Sequence, residues 1–180
     1  MHPGQPSPSH ALVARSIPVV EQGRLTVRAA KPDDARTIAG LYLEVAAEVV
    51  AREPSFRHVP EVDEVQRRYQ SRIAEVDRAI LVVVSDNAVV AFVDASLQHH
   101  EGGGTYHRTG IDVYVEELIV TASHRRRGMG RALMRAIESW GRNAEARMIW
   151  LDTHLTNAAA RGLYGAIGYR EVGVELVKEL

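Results

Sequence analysis

A short basic loop that contains two glycines has the clearest chemical potential in the sequence. The segment from Arg125 to Gly130 reads RRRGMG and lies between a β-branched run and a run of helix-forming residues. The first amides of a helix have no intrahelical partner and the helix dipole is positive there, so a loop entering a helix can bind an anion through its backbone. Glycine permits close approach because it has no Cβ. The segment predicts a phosphate-binding loop, and the alternative is a solvated basic turn.

Two other nucleotide-binding motifs do not fit this loop. A P-loop ends in Gly-Lys followed by Ser or Thr, which is missing here, and the run from Met129 to Leu133 lacks the third glycine of a dinucleotide fingerprint. The elements around the loop must therefore decide between a ligand site and a solvated turn.

Hydrophobic periodicity predicts the elements that position this loop. A helix over Pro32 to Ala51 follows the first strand, and Asp86-Asn87 gives a hairpin signal between two β-branched runs. The region from Gln98 to Gly110 has histidines and glycines without apolar spacing, which favours a flexible loop over a metal site. We further predict strands over 25–28, 79–85, 88–97, 111–120, 148–153 and 169–177, and helices over 62–76, 128–141 and 157–167. This order of strands and helices predicts a mixed α/β fold.

Composition limits the class of protein. The 180 residues suffice for one domain, which we place at 21–180 after a disordered tail at 1–20 that is rich in proline and serine. The absence of cysteine excludes disulfides, thiolate zinc sites and cysteine nucleophiles. A net charge of -1 gives no global basic field for nucleic acid or membrane surfaces. Because the apolar stretch from Ala11 to Val20 is interrupted by Arg15 and Pro18, we expect no signal peptide or membrane span, and a cytoplasmic protein.

Two motifs resemble the GNAT superfamily of acetyl-CoA-dependent N-acetyltransferases. The cofactor loop of that family is Arg/Gln-x-x-Gly-x-Gly/Ala after its fourth strand, and the segment from Arg125 to Gly130 has every fixed residue. The run from Asn157 to Tyr169 is similar to the family pattern Asn-x-x-Ala-x-x-Leu-Tyr-x-x-x-Gly-Phe/Tyr. Both motifs in this order are more specific than either alone. The resemblance covers about residues 25–180.

The resemblance implies a fold and a cosubstrate. The fold is a mixed, mostly antiparallel α/β sheet with helices on both faces, in which strands four and five splay apart to hold acyl-CoA. The cosubstrate is acetyl-CoA, and no metal is implied. Asn157 would also cap the last helix through its side chain. The implied cofactor-binding residues are Leu118, Ile119, Val120, Arg125, Arg126, Arg127, Gly128, Met129, Gly130, Arg131, Ala132, Asn157, Ala160 and Tyr164.

The resemblance also implies catalytic residues. Tyr164 is the expected proton donor to the departing thiolate, because the equivalent hydroxyl in the family lies near the CoA sulfur; the alternative is a core tyrosine. Of the strand carboxylates Glu116 and Glu117, a regular register lets only one face the substrate unless a bulge intervenes. We favour Glu116, on the same parity as Tyr114, because some family members carry their base there. The alternatives are a solvent-facing carboxylate, an amine-binding carboxylate and a proton path through water.

The acceptor stays open at this point. The resemblance implies a small-molecule or peptide amine, and antibiotics, polyamines, amino acids and protein N-termini all fit. We expect neither nucleic acid nor membrane as a partner, and homodimers are common among relatives. The alternative function is a non-catalytic acyl-CoA-binding GNAT-fold sensor or interaction module.

Overall fold

A mixed sheet of six strands forms the middle layer of the protein. The computed structural model describes residues 20–22, 25–51, 58–101, 109–174 and 178. Within these ranges the strands are β1 (Val20–Gln22), β2 (Leu25–Ala29), β3 (Arg78–Ser85), β4 (Ala88–His100), β5 (Gly110–Val120) and β6 (Met148–Leu151). Neighbours in the sheet follow chain order, and every pair is antiparallel except β5 with β6, which is parallel. The predicted mixed, mostly antiparallel sheet is confirmed. Because β1 adds a strand, the predicted strands four and five are β5 and β6.

Helices cover both faces of the sheet, as predicted. In the described part of the chain they are α1 (Ala35–Val50), α2 (Val62–Arg72), α3 (Met129–Asn143) and α4 (Ala158–Ala166). On one face, α1 and α2 bury a core around Ile38, Tyr69 and Phe92. On the other face, α3 packs through an apolar stripe that includes Leu133, Ile137 and Trp140, because these residues recur at helical spacing.

The predicted hairpin at Asp86-Asn87 is confirmed and joins β3 to β4. Both residues have positive φ, 49° at Asp86 and 65° at Asn87. Two-residue hairpins favour turns with positive φ because their twist matches that of the strands, and Asp and Asn tolerate this conformation.

The predicted loop from Gln98 to Gly110 is wrong at its first three residues and at Gly110, which begins β5. Gln98, His99 and His100 extend β4, because each pairs with a residue at the start of β5. Pairing with a distant strand is not visible in local apolar spacing. The glycines and the histidine at 102–108 lie outside the described residues.

The predicted strands over 169–177 are not found at 169–174, and 175–177 lie outside the described residues. Val172 and Val174 are exposed, so no neighbouring strand buries their alternating side chains.

Two further expectations concern the chain outside the sheet. Residues 1–19 of the predicted tail lie outside the described residues, whereas Val20, which we assigned to the tail, begins β1. Among the helices of the described ranges, none combines the length and the apolar character that crossing a membrane requires.

A slot opens where β5 and β6 part. The two strands pair only from Asp112 with Met148 to Val115 with Leu151. β6 ends there, whereas β5 continues to Val120 along β4. This separation is the predicted splay, and it lies beside the start of α3.

Candidate functional site

One edge of β5 presents backbone groups to the slot. Thr121 donates its N–H to the Val90 carbonyl at 3.0 Å, on the β4 side. Because backbone direction alternates along a strand, the amides of Leu118 and Val120 point to the opposite edge, where β6 has ended. The Val120 carbonyl on that edge accepts a hydrogen bond from Arg125 Nε at 3.1 Å. The Leu118 and Val120 amides can therefore receive acceptor groups of a ligand in the slot.

The start of α3 presents free backbone amides at the predicted phosphate-binding loop. Gly128 is its N-cap with a left-handed φ of 83°, and no side chain of the described residues caps the helix. Ala132 N–H donates to the Gly128 carbonyl at 3.0 Å, so the amides of Met129, Gly130 and Arg131 precede the first intrahelical bond. The dipole of the helix adds positive potential at these amides. The backbone donors and the positive potential of the helix dipole therefore both lie at the N-terminus of α3.

The two loop glycines have different physical roles. A Cβ on Gly128 would meet nothing within 4 Å, but its φ of 83° favours glycine. A Cβ on Gly130 would lie 3.1 Å from Leu163 Cδ2 of α4 and 3.9 Å from Leu118 Cδ2. The space at Gly128 is therefore open to a ligand, whereas Gly130 lets α3, α4 and β5 approach one another. Our expectation of close ligand approach at a missing Cβ fits Gly128 and not Gly130.

The loop arginines divide into one that fixes the loop and others that face solvent. Besides the Val120 carbonyl, Arg125 contacts Glu48 of α1 at 3.2 Å through Nη2. Arg126 and Arg127 are exposed, and Arg126 has a φ of 66°. Arg125 therefore holds the loop against α1, whereas Arg126 and Arg127 are exposed immediately before α3.

The other wall of the slot is α4. Asn157 accepts a hydrogen bond from the Ala160 N–H at 3.1 Å, so the predicted N-cap is confirmed. Tyr164 lies in the same helix, and burial together with the charges of Asp152 and Glu117 raises its pKa to about 12. The hydroxyl is therefore protonated at neutral pH and can act as a proton donor.

A β-bulge changes the register of the two strand carboxylates. Glu117 pairs with Asp94 and Val115 pairs with Ala95, so Glu116 is the extra residue. Both carboxylates then turn to the α2 face of the sheet: Glu116 contacts Arg72 of α2, and the charge of the same arginine acts on Glu117. In a regular strand, alternation of the side chains would have placed Glu116 and Glu117 on opposite faces. The bulge interrupts this alternation.

Glu116 is held in a partly buried network of ions. Its carboxylate accepts hydrogen bonds from Arg78 Nη1 at 2.8 Å and Ser96 Oγ at 3.2 Å, and lies 2.7 Å from Arg72 Nη1. Asp94, whose side chain is 0% exposed, binds the same arginines at 2.7 and 2.6 Å. Burial alone would raise the pKa of Glu116, but Arg78 and Arg72 hold it below its usual range. Glu116 is therefore a fixed carboxylate at neutral pH.

Glu117 has a different environment although it is the next residue. Burial raises its pKa to about 7, against the opposing charge of Arg68. No hydrogen bond reaches its carboxylate from the residues that the structure describes. Glu117 can therefore exchange a proton near neutral pH.

Sequence reasoning missed the residues of α2, β3 and β4 that surround these carboxylates: Arg68, Tyr69, Arg72, Arg78, Asp94 and Ser96. One signal was present, since Asp94 is the only charged residue in the apolar run from Val89 to Leu97. A buried carboxylate needs cationic partners, but their identity depends on the fold.

Comparison with protein families gives a match over most of the chain. The model of the acetyltransferase (GNAT) family matches residues 44–169. An aminoglycoside N(6')-acetyltransferase type 1 of Salmonella typhimurium is 29% identical over 93 residues, 52% of this chain and 63% of that protein. A protein of the same name from Stenotrophomonas maltophilia is 26% identical over 147 residues, 81% of this chain and 86% of that protein.

Solved structures share the fold. A mutant of the BH1408 protein of Bacillus halodurans superposes with a TM-score of 0.80 at 24% identity, over 86% of this chain and 98% of that one. The aminoglycoside N-acetyltransferase AAC(6')-Iy, solved in complex with CoA, has a TM-score of 0.67 at 21% identity, over 90% of this chain and 99% of that one. In the residues described for this chain, no group of His, Asp and Glu side chains is arranged to hold a metal ion.

Proposed function

Because the chain belongs to the acetyltransferase (GNAT) family, we propose that it is an N-acetyltransferase that moves the acetyl group of acetyl-CoA to a primary amine by direct transfer. The observation that carries this proposal is that two sets of backbone donors lie side by side. One is the edge of β5 beyond its last pair with β6, which joins Val115 to Leu151, and the other is the first amides of α3. AAC(6')-Iy was solved with CoA, which supports acetyl-CoA as the cosubstrate.

The residues fit a pantetheine pyrophosphate ligand in three places. The amides of Met129 to Arg131, with exposed Arg126 and Arg127, suit the pyrophosphate. The edge of β5 from Leu118 to Val120 can pair with the amides of the pantetheine arm. Asn157, the N-cap of α4, and Ala160 and Tyr164 of that helix then line the opposite wall.

Direct transfer needs three functions from the protein. Acetyl-CoA itself supplies an activated thioester carbonyl. The Leu118 or Val120 amide stabilises the negative charge that develops on the carbonyl oxygen, since these donors are fixed before reaction. Tyr164 donates a proton to the thiolate as it leaves. Glu116 keeps its negative charge on the acceptor side of the slot. Its arginine partners lower its pKa and so make it a weak base.

The acceptor side lies toward α1 and α2. An open hollow of about 370 Å³ is lined by Arg78 and Ser96, both partners of Glu116, by Leu97 and Gln98 of β4, and by residues 75–77 between α2 and β3. The named relatives make an aminoglycoside amine the first candidate. A polyamine, an amino acid and a peptide N-terminus are the other acceptor classes to compare.

An acceptor panel tests the proposed function. Purified protein with acetyl-CoA and one member of each class should release CoA thiol and yield the acetylated amine with at least one acceptor, measured by thiol titration and mass spectrometry. Samples without acceptor or without protein are the controls. Saturable acetyl-CoA binding without thiol release for every class would contradict an enzyme and favour the acyl-CoA sensor.

A further inference from the structure

We propose that Arg72 and Arg78 are positioning residues for the acetyl-CoA slot. Together they clamp the bulge of β5, and this bulge decides which backbone amides of the strand face the slot. Neither arginine has to touch the ligand for this role. The inference rests on the acetyl transfer proposed above, in which acetyl-CoA pairs with the edge of β5, and it identifies the side chains that set the geometry of that edge.

The backbone of β5 changes its direction of hydrogen bonding at the bulge. Before the bulge, the Ile111 carbonyl accepts a hydrogen bond from the N–H of Arg147, the residue before β6, at 2.8 Å. After the bulge, the Thr121 N–H donates to the Val90 carbonyl at 3.0 Å, on the β4 side. Since backbone direction alternates along a strand, residues 111 and 121 of an unbroken strand would point to the same edge. The extra residue therefore turns the even-numbered amides beyond it to the slot.

The side chains of β5 change face at the same place. Val115 belongs to the core on the α3 face, and Leu118 packs against that same core. In an unbroken strand, two residues three positions apart would lie on opposite faces. Ile119 is 3% exposed and belongs to the core on the face of α1 and α2. A strand that continued regularly from Val115 would exchange the faces of Leu118 and Ile119, and it would turn the Ile119 amide to the slot instead of the Leu118 amide.

A closed ring of ionic contacts spans the bulge. Arg72 Nη1 lies 2.7 Å from Asp94 Oδ2 of β4 and 2.7 Å from Glu116 Oε2 of β5. Arg78 Nη1 lies 2.6 Å from the other oxygen of Asp94 and 2.8 Å from the other oxygen of Glu116. The register of the sheet shifts between Asp94 and Ala95, opposite Glu116. Each arginine therefore joins the two strands at the position where their regular pairing is interrupted.

The two arginines also offset a repulsion that the bulge creates. The bulge brings the carboxylates of Asp94 and Glu116 to the same face of neighbouring strands, and like charges in such positions destabilise a sheet. Because the Asp94 side chain is 0% exposed, salt screens its charge little. Removal of one arginine leaves the two carboxylates with a single bridging cation. Their repulsion then favours separation and loosens the bulge.

The affinity for acetyl-CoA is the first test, measured by isothermal titration well below the Tm of each variant. Arg72→Gln should raise the Kd by about tenfold, because a misplaced β5 edge loses the equivalent of one backbone hydrogen bond to the ligand. Arg72→Lys keeps a cationic donor that can contact both carboxylates, so it should restore most of the affinity.

Arg28→Gln is the matched control for this variant. Arg28 contacts Asp34 at 2.6 Å, and its side chain is 25% exposed, against 24% for Arg72. It lies in β2, three strands away from β5, so the lost ion pair should change stability and leave the Kd within about twofold. An unchanged Kd of Arg72→Gln, or equal losses of affinity in Arg72→Gln and Arg28→Gln, would overturn the inference. A wild-type protein that does not bind acetyl-CoA would instead overturn the proposed function.

Amide hydrogen exchange followed by NMR without ligand is the second test, and it decides the matter if Arg72→Gln does not fold. In the wild type, the amides of Leu118 and Val120 should exchange faster than that of Ile119, which faces β4. Asp94→Asn removes the charge on the β4 side of the ring, and it should speed exchange at Ile119 by about tenfold relative to the amides of β3. An equal rise at Ile119 and in β3 would show that the ring stabilises the whole fold without positioning the bulge, and the inference would be wrong.

Discussion

Replacing Tyr164 with phenylalanine should lower kcat by about 10²-fold while the affinity for acetyl-CoA stays nearly unchanged. The hydroxyl is protonated up to a pKa of about 12 and lies in the α4 wall of the slot. Phenylalanine keeps the ring, so its packing against the core on the α3 face is retained. The measurement is steady-state thiol release with the best acceptor, together with the dissociation constant for acetyl-CoA.

Tyr169→Phe is the matched control for this variant. The Tyr169 ring lies 5.9 Å from that of Tyr164, and its buried hydroxyl has no partner among the described residues. Its removal should leave kcat within about twofold, because no hydrogen bond is lost. An unchanged kcat of Tyr164→Phe from pH 6 to pH 9, under conditions where chemistry limits the rate, would remove Tyr164 from the mechanism.

Replacing Asp94 with asparagine should destabilise the protein by about 3 kcal/mol, because the fully buried carboxylate makes two charge-assisted hydrogen bonds, to Arg72 and Arg78, that an uncharged amide replaces only in part. The Asp94 side chain is 0% exposed and binds Arg72 at 2.7 Å and Arg78 at 2.6 Å. For a domain of this size the loss corresponds to a fall in Tm of about 6 to 12 °C. Thermal and urea unfolding at neutral pH measure it.

Asp63→Asn separates this effect from the simple loss of a carboxylate. Asp63 lies 3.7 Å from Arg36 and its side chain is 72% exposed. Exposed ion pairs contribute little, so this variant should change stability by less than about 1 kcal/mol. Equal losses for Asp94→Asn and Asp63→Asn would show that the network on β4 is not a stabilising element.

Local signals in the sequence predicted much of the fold and the loop. The hairpin at Asp86-Asn87, the start of α3 after Gly128 and the N-cap at Asn157 depend on residues close in sequence, and all three are found. The apolar residues along β5 and α3 likewise predicted these two elements, because their spacing reflects burial.

The features that the sequence did not predict depend on contacts between distant parts of the chain. The bulge at Glu116 arises from the pairing of β5 with β4, and it places Glu116 and Glu117 on one face. The arginines that distinguish the two carboxylates come from α2 and β3, far away in the chain. We also expected the missing Cβ of Gly130 to make room for a ligand, whereas a Cβ there would meet Leu163 of α4.

Binding of acetyl-CoA tests the central claim most directly, because both the enzyme and the sensor require it. Acetyl-CoA that binds the folded state alone should stabilise the protein by about 2.7 kcal/mol at about 100 times its Kd. This corresponds to a rise in Tm of about 5 to 11 °C. Gly128→Val should remove most of the rise, because valine disfavours the φ of 83° and would project into open space in front of α3. Gly162→Ala, in α4 and without atoms near an added Cβ, is the control and should retain the rise.

The decisive result is the Tm of the unmutated protein, free of copurified CoA, as acetyl-CoA is raised to about a millimolar. Our interpretation predicts a saturable rise that Gly128→Val largely loses and Gly162→Ala keeps. A Tm that does not change over this range would contradict both the acetyltransferase and the acyl-CoA sensor.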